Sequence, residues 1–320
     1  MNTSVALCTY NGESYLAEQL ASISTQDLLP DELVLCDDGS TDATLRIAED
    51  FAATAPFAVR IERNAQRLGA RDNFAKAIAL CRGRWIVLAD QDDVWLPHKL
   101  RRFQQCMEQD PELGMVFSDA LMVDRVRRPL GYTLWQAIRF HAREQRQIRA
   151  GRALDVLLRH NAATGACMAF RAEYRDMLLP IPGGWVHDGW IALLLAAVAR
   201  CAAISEPLVE YRQHESQQIG EKKRSIFENY LRVRSRNPAD YQRVAGNFTA
   251  ARARLAEFAS QLRRADTLSA LEGKASHFRA KSLIHSGVAS RWPLILRELI
   301  HGNYARYSAG WRSLAEDVLV

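Results

Sequence analysis

Three aspartates fall within four positions of Ala89-Asp90-Gln91-Asp92-Asp93-Val94-Trp95, directly after the apolar run RWIVLA, residues 84–89. Carboxylates two apart at a strand end can aim at one point, and such hard oxygen ligands select Mg2+ or Mn2+. Mg2+ is usually held through one or two carboxylates together with substrate phosphates. A bound cation would supply the charge this stretch lacks, whereas a solvated turn with Asp93 capping the next helix is the plainer reading. Two further acidic stretches have the same character. In Asp37-Asp38-Gly39-Ser40-Thr41-Asp42, Gly39 allows a tight turn and Ser40 or Thr41 can cap a helix. Capping leaves the aspartates unexplained, and a carboxylate there could hold a nucleobase N–H. Thr9-Tyr10-Asn11-Gly12-Glu13 reads either as a turn and helix start or as part of the same site. Further on, Trp185-Val186-His187-Asp188-Gly189-Trp190 opens a helix after a Pro/Gly loop, where Asp188 taken alone is an N-cap.

The elements that position these residues alternate strand and helix. SVALC (4–8), ELVLC (32–36), FAVRIE (57–62), RWIVLA (84–89) and GMVFS (114–118) read as strands, and residues 13–25, 41–54, 70–81 and 97–109 as helices. Near-continuous apolar strands separated by helices imply an α/β fold with a mostly parallel, Rossmann-like sheet covered on both faces. Ligands of such sheets bind at the carboxyl ends of the strands, so the three acidic loops share one rim. Beyond residue 130 the pattern is irregular, with a strand over 164–171, a helix over 189–199 and a strand over 206–212. From Gly220 onward the chain reads as Ala-, Arg- and Leu-rich helices with breaks at Asn237-Pro238, Gly273, Gly287 and Trp292-Pro293. The expected organisation is a catalytic unit over 1–220, split into a nucleotide-binding half (1–125) and an acceptor half (126–220), followed by a basic helical region (221–320).

Composition narrows the function classes. The chain of 320 residues is 48% hydrophobic and 25% charged, an ordinary globular balance. Six scattered cysteines without a CxxC pair fit a reducing compartment. The first residues enter a strand pattern without a signal-like segment, and the longest apolar run, Trp190 to Ala199, is about half of what a spanning helix needs. These features point to a cytoplasmic protein. Net charge is +5, yet residues 221–320 carry 18 Lys+Arg against 9 Asp+Glu. Such asymmetry suits contact with an anionic membrane, or a solvated helical face, lid or oligomerisation element. No GxGxxG follows the first strand and no GxxxxGK[ST] occurs, which disfavours a dinucleotide dehydrogenase and a P-loop NTPase. No nucleic-acid-binding motif accompanies the basic tail.

Taken in order, SVALCTYNGESYLAEQLASISTQ, DELVLCDDGSTDAT, RLGARDNFAKAI and WIVLADQDDVWLPHKL resemble the inverting nucleotide-sugar glycosyltransferases of family 2, which have the A-type fold. The similarity covers roughly residues 3–215. DQDDVWLPHKL, NAATGACMAFR and YRQH look most like the rhamnosyltransferase-type branch of bacterial surface polysaccharide assembly. The resemblance implies a nucleoside-diphosphate sugar donor with dTDP or UDP, dTDP-L-rhamnose at branch level, and a glycan or lipid-linked saccharide acceptor. It places Thr9, Tyr10 and Glu13 against the nucleoside, Asp38 on the base, Asp90 on the ribose or metal side, with Gln91 between, and Asp92 on a metal that meets the diphosphate. Gly69, Arg71 and Asn73 match a segment lining the nucleotide cleft, where Arg71 could offset diphosphate charge. Asp188 falls on the catalytic base, and His187 stands where many relatives carry a second acid, leaving room for a coupled His/Asp pair. His214 is the implied further metal ligand. Trp95, Gly165 and Trp190 are candidate acceptor contacts, with core burial the alternative for the tryptophans. A nucleotidyltransferase or an inactive nucleotide-sugar-binding protein of the same fold is the competing expectation. The basic clusters Arg232/Arg234/Arg236, Arg252/Arg254 and Arg263/Arg264 are expected to bring the enzyme to the inner face of the cytoplasmic membrane.

Overall fold

The computed structural model describes residues 2–214, 237–287 and 290–319. Its first half follows the alternation expected from sequence: β1 (Thr3–Thr9), α1 (Leu16–Ser24), β2 (Glu32–Asp37), α2 (Thr44–Ala52), β3 (Ala58–Arg63), α3 (Ala70–Leu80), β4 (Trp85–Asp90), β5 (Val94–Trp95) and α4 (Lys99–Gln109). Then come β6 (Leu113–Val123), β7 (Pro129–Thr133), α5 (Leu134–Ala137), α6 (Ala142–Arg149), α7 (Ala153–Leu157), β8 (Met168–Arg171), α8 (Arg175–Leu178), α9 (His187–Val198) and β9 (Arg200–Arg212). All nine strands form one sheet in the order β3-β2-β1-β4-β8-β6-β9-β5, with β7 beside β6. Strands β1, β2, β3, β4, β6 and β9 run one way, while β5, β7 and β8 run against them. The sheet is therefore mostly parallel. Strands β1, β2 and β4 are buried almost throughout, as apolar strands covered by helices on both faces must be.

Register sets the rim. Thr9 pairs with Asp37, and Cys8 pairs with Asp90, so the loops after β1, β2 and β4 leave the sheet side by side. Helices α1 and α2 begin at Leu16 and Thr44, three residues later than the sequence pattern suggests. The side chains expected to start those helices instead cross-link the loops. Asn11 N–H donates to Ser40 Oγ (2.9 Å), Thr41 N–H to Asn11 Oδ1 (2.9 Å), Glu13 N–H to Asp42 Oδ2 (3.1 Å) and Ala43 N–H to Glu13 Oε2 (2.9 Å). Neither Ser40 nor Thr41 caps α2, whose N-cap is Ala43.

Two expected elements differ more. The run read as a strand over 164–171 is a 3-10 turn at Gly165–Cys167 followed by β8, and β9 begins at Arg200, before the expected 206. Pairing with β6 extends β9 beyond its own apolar pattern.

The C-terminal helices are α10 (Pro238–Glu257), α11 (Thr267–Ser286), α12 (Arg291–Ile300), α13 (Asn303–Tyr307) and α14 (Trp311–Leu319). A capping box at Asn237 with Pro238 in the first turn starts α10, and Gly287, left-handed at φ 68°, ends α11. The break expected at Gly273 is absent: α11 runs through it, because a Cβ there would meet the Tyr307 ring that packs against it. Helix α10 and the turn after it dock on the sheet-bearing part of the chain through polar links. Arg254 donates to the carbonyls of Met177 (3.0 Å) and Leu179 (2.8 Å), Arg264 pairs with Asp155 (2.5 Å), and Trp185 Nε1–H donates to Asn247 O (3.0 Å). These two arginines, expected on a membrane face, are docking residues. Arg232, Arg234 and Arg236 lie outside the described residues.

Candidate active site

The rim is assembled from backbone clamps. Gln91 binds Tyr10 at both ends, accepting from its N–H (2.9 Å) and donating to its C=O (3.1 Å), and so ties the loop after β4 to the loop after β1. A Cβ at Gly12 would clash with the Gln91 amide, which is why glycine stands there. Arg212, at the end of β9, holds the loop from the other side. Its Nε–H donates to Asp92 O (2.7 Å), its backbone N–H to Asp93 Oδ1 (3.0 Å) and its Nη2–H to Glu18 Oε2 (2.8 Å). Nothing in the sequence pattern singled out Arg212.

Within this frame the carboxylates have distinct environments. Asp92 lies 2.8 Å from His214 Nε2, and Tyr15 covers the imidazole with ring centroids 4.7 Å apart. Burial, then the neighbouring carboxylates of Asp92 and Asp188, push Asp90 up to about 7. Asp93 is buried, its Oδ2 has no hydrogen-bond partner, and burial with Asp92 and Asp90 raises it well above the usual carboxylate range. Beneath them Lys99 is fully buried, its Nζ donating to Ala166 O (2.8 Å) and lying 3.7 Å over the Trp95 ring. Desolvation lowers this lysine to about 7, so it offsets the aspartates weakly. Arg212 and the His214 imidazole also stand at this rim.

The same turn leads to Asp188. Ala166 O receives Lys99, and one residue earlier Gly165 N–H donates to Asp188 Oδ2 (3.1 Å). Asp188 stands in the first turn of α9, whose N-cap is Val186, so it is no N-cap. Asp188 is also among the carboxylates that raise Asp90, after burial and Asp92. No hydrogen bond joins His187 to Asp188, though the Asp188 charge partly opposes the burial that lowers the imidazole. Its ring stacks on Phe74 with centroids 4.0 Å apart, neither ring nitrogen has a hydrogen-bond partner, and burial lowers its pKa. A Cβ on Gly165 would lie 2.7 Å from His187 Nε2, so Gly165 permits this close approach.

At the opposite end of the rim is a cavity of about 550 Å3 lined by Tyr10, Asp38, Gly39 and residues 63–67. The Asp38 carboxylate is already engaged, accepting from Asn64 Nδ2 (2.9 Å), Leu68 N–H (2.7 Å) and Gly69 N–H (2.8 Å), and thereby shapes the 64–69 loop that walls the cavity. Arg67 lies 3.8 Å over the Tyr10 ring. With Arg63 it is a cationic lining residue the sequence reading passed over, although RNAQR was a visible signal.

Several predicted contacts fall elsewhere. Thr9 is buried and donates to Asp37 Oδ1 (2.9 Å), and Glu13 bridges to α2. Arg71 is paired with its neighbour Asp72 through two hydrogen bonds (2.8 and 2.6 Å). Asn73 is buried and brackets Asn64 and Cys36 O. Trp190 is fully buried, its Nε1–H donating to Leu178 O (2.8 Å), and Trp95 roofs Lys99. Both tryptophans belong to the core and offer no face to an acceptor.

A family model for glycosyl transferase family 2 matches residues 4–174. The chain belongs to that family. This family-2 chain is 35% identical over 105 residues to the dTDP-rhamnosyl transferase RfbG of Shigella flexneri, covering 32% of this chain and 36% of that one. Uncharacterised mycobacterial proteins match it at 27% identity over 222 residues, and the chain spans 58% of their length. Among solved structures, TarS of Staphylococcus aureus with UDP-GlcNAc superposes with a TM-score of 0.55 at 19% identity, covering 99% of this chain and 88% of that one. The mannosyltransferase PcManGT of Pyrobaculum calidifontis, with GDP-Man and Mn2+, gives 0.51 at 19% identity over 99% and 85%. At these identities the likeness establishes the fold.

Among the described residues no group of three or more His, Cys, Asp and Glu side chains is arranged as a metal cage. The donor set nonetheless fits a hard divalent ion whose shell is completed by substrate. Asp92 and His214 are adjacent, and burial with the carboxylates of Asp92 and Asp188 raises neighbouring Asp90.

Proposed function

We propose that this chain transfers a sugar from a nucleoside-diphosphate sugar to an acceptor hydroxyl with inversion at the anomeric carbon. The observation that carries the reading is the pair of hydrogen bonds by which Lys99 holds Ala166 O and Gly165 N–H holds Asp188 Oδ2, tying the start of α9 to the segment that follows the Asp90–Asp93 loop. The Tyr10/Arg67 cavity takes the nucleoside, with the base against Tyr10 and the loop that Asp38 shapes. The diphosphate lies toward Asp92. Asp92 and His214 would hold Mg2+ or Mn2+, which would supply positive charge to offset the leaving diphosphate.

Asp188 accepts the proton of the acceptor hydroxyl as its oxygen attacks the anomeric carbon. Gly165 N–H fixes the carboxylate through one oxygen, and the 3-10 turn that carries it is fastened by Lys99. A single base suffices, because the leaving group is a diphosphate that departs without a proton. The match to a dTDP-rhamnosyl transferase favours dTDP-L-rhamnose as donor, with a glycan or lipid-linked saccharide of surface polysaccharide assembly as acceptor.

The test is Asp188→Asn. Transfer is expected to fall by about 10^3-fold, within the range general bases contribute, while calorimetric affinity for the nucleotide sugar with Mn2+ stays near that of the unaltered protein. Unchanged turnover rejects the assignment of Asp188. Loss of donor affinity assigns the residue to binding instead.

A further inference from the structure

Helices α12 and α14 carry their polarity in reverse. Helices α12 and α14 meet one stripe of α11 through charged side chains: His277 Nδ1 lies 2.8 Å from Glu298, Lys281 Nζ 2.5 Å from Asp317, and His285 Nε2 2.8 Å from Asp317. Positions 277, 281 and 285 repeat every four residues and so share one face of α11. Glu298 and Asp317 are buried.

The opposite faces are apolar. In α12, Trp292, Leu296, Leu299 and Ile300 recur at i, i+4, i+7 and i+8 and are all exposed, with Trp292 at 56% and Ile300 at 73%. In α14 the same spacing gives Trp311, Ala315, Val318 and Leu319, with Trp311 73% exposed. Since both helices turn their charged sides to α11, both stripes look away from it. Each tryptophan also has an arginine at its side: Arg291 is 5.4 Å from the Trp292 ring centroid, and Arg312 is 5.6 Å from that of Trp311. Over 291–319 there are four arginines and three acids, and two of those acids are the buried Glu298 and Asp317. The outer charge is positive.

A soluble bundle buries its apolar stripe and exposes its charges. Exposed tryptophan-led stripes edged by arginine suit the boundary of an anionic bilayer, where indoles sit at headgroup depth and cations meet lipid phosphate. We propose that α12 and α14 form a peripheral docking surface for an anionic phospholipid membrane. They lie in its interface without crossing it, since among the described residues no helix is long and apolar enough to span a bilayer. This surface is separate from the Asp90/Asp188 site, so its test does not depend on glycosyl transfer.

The experiment floats the full chain with phosphatidylglycerol/phosphatidylcholine vesicles and with phosphatidylcholine vesicles alone. Flotation is expected with the first and at least about tenfold less with the second. Trp292→Ser with Trp311→Ser should cut flotation by about tenfold or more, with melting temperature and donor affinity unchanged. Arg291→Gln with Arg312→Gln should weaken binding to the anionic vesicles only. Absence of flotation, or equal flotation with both lipids, overturns the proposal. So does light scattering that shows a dimer dissociated by the tryptophan substitutions, which would make a second copy of the chain the occupant.

Discussion

Both the rim of the sheet and the terminal helices gather acidic side chains inside the protein, and they treat them in opposite ways. At the rim, Asp90 and Asp93 are raised by burial and by neighbouring carboxylates, and Lys99, which acts on both, is itself lowered to about 7. In the terminal helices Glu298 is held at about 2 by hydrogen bonds from His277, Asn303 and Arg297 that overcome its desolvation. Asp317 is lowered by His285, Lys281 and Tyr304. A charge cluster completed from within is a structural device, whereas one left incomplete is a place where a cation or ligand completes it.

The contrast can be broken by mutation. The largest effect is expected for Asp317→Ala, which leaves Lys281 and His285 buried without their carboxylate. A loss of about 3–5 kcal/mol in the stability of the terminal helices is expected, read by urea denaturation, and a loss below 1 kcal/mol would show the pair to be solvated. At the rim the sign should reverse. Asp90→Asn is expected to raise ligand-free stability by about 1 kcal/mol, as strained functional sites do when relaxed, while weakening binding of donor with Mn2+. A destabilised variant would mean Asp90 is compensated within the fold.

Acid sharpens the comparison with a smaller shift. A depressed carboxylate such as Glu298 contributes stability that is present above its ordinary 4.5 and lost as pH falls toward 2. His277, lowered chiefly by burial, is charged in the unfolded chain first, so its contribution declines below about 6.5. A raised carboxylate such as Asp90 carries a penalty above about 7 that is relieved as pH falls toward 3.8. Metal-free protein taken from pH 7.5 to 5.5 should therefore lose hydrogen-exchange protection in α11–α14, after correction for intrinsic exchange, and gain it around β4 and β5. Movement of both regions in one direction refutes the distinction. The smallest change is Gly165→Ala, whose methyl would press on His187 Nε2 and displace the N–H that holds Asp188. Turnover should fall about tenfold with KM for donor little altered, and an equal rise in KM would place the effect in the donor pocket.

Much of the site was legible before the fold. Asp90 and Asp92 stood out as carboxylates crowded at a strand end, whereas Asp188 alone read as a helix cap and was singled out only by the family resemblance. What escaped notice were residues of unremarkable type whose partners lie far along the chain. Arg212 clamps a loop 120 positions away, Lys99 reaches Ala166, and Arg67 covers Tyr10. Asp38 was expected to meet a base; it lines the cavity and also organises the loop beside it. Trp95 and Trp190 were ambiguous because an indole serves a core and a binding face equally well.

The sequence alone determined the alternation of strands and helices, the rim where the acidic loops gather, and the basic bias of the last hundred residues. Periodicity and charge are local properties, written in residues a few positions apart. Tertiary structure decided which acids would be neutralised and which left waiting, and which helical stripes would face out. Those outcomes depend on burial and on partners brought together across long separations, and neither spacing nor composition encodes them.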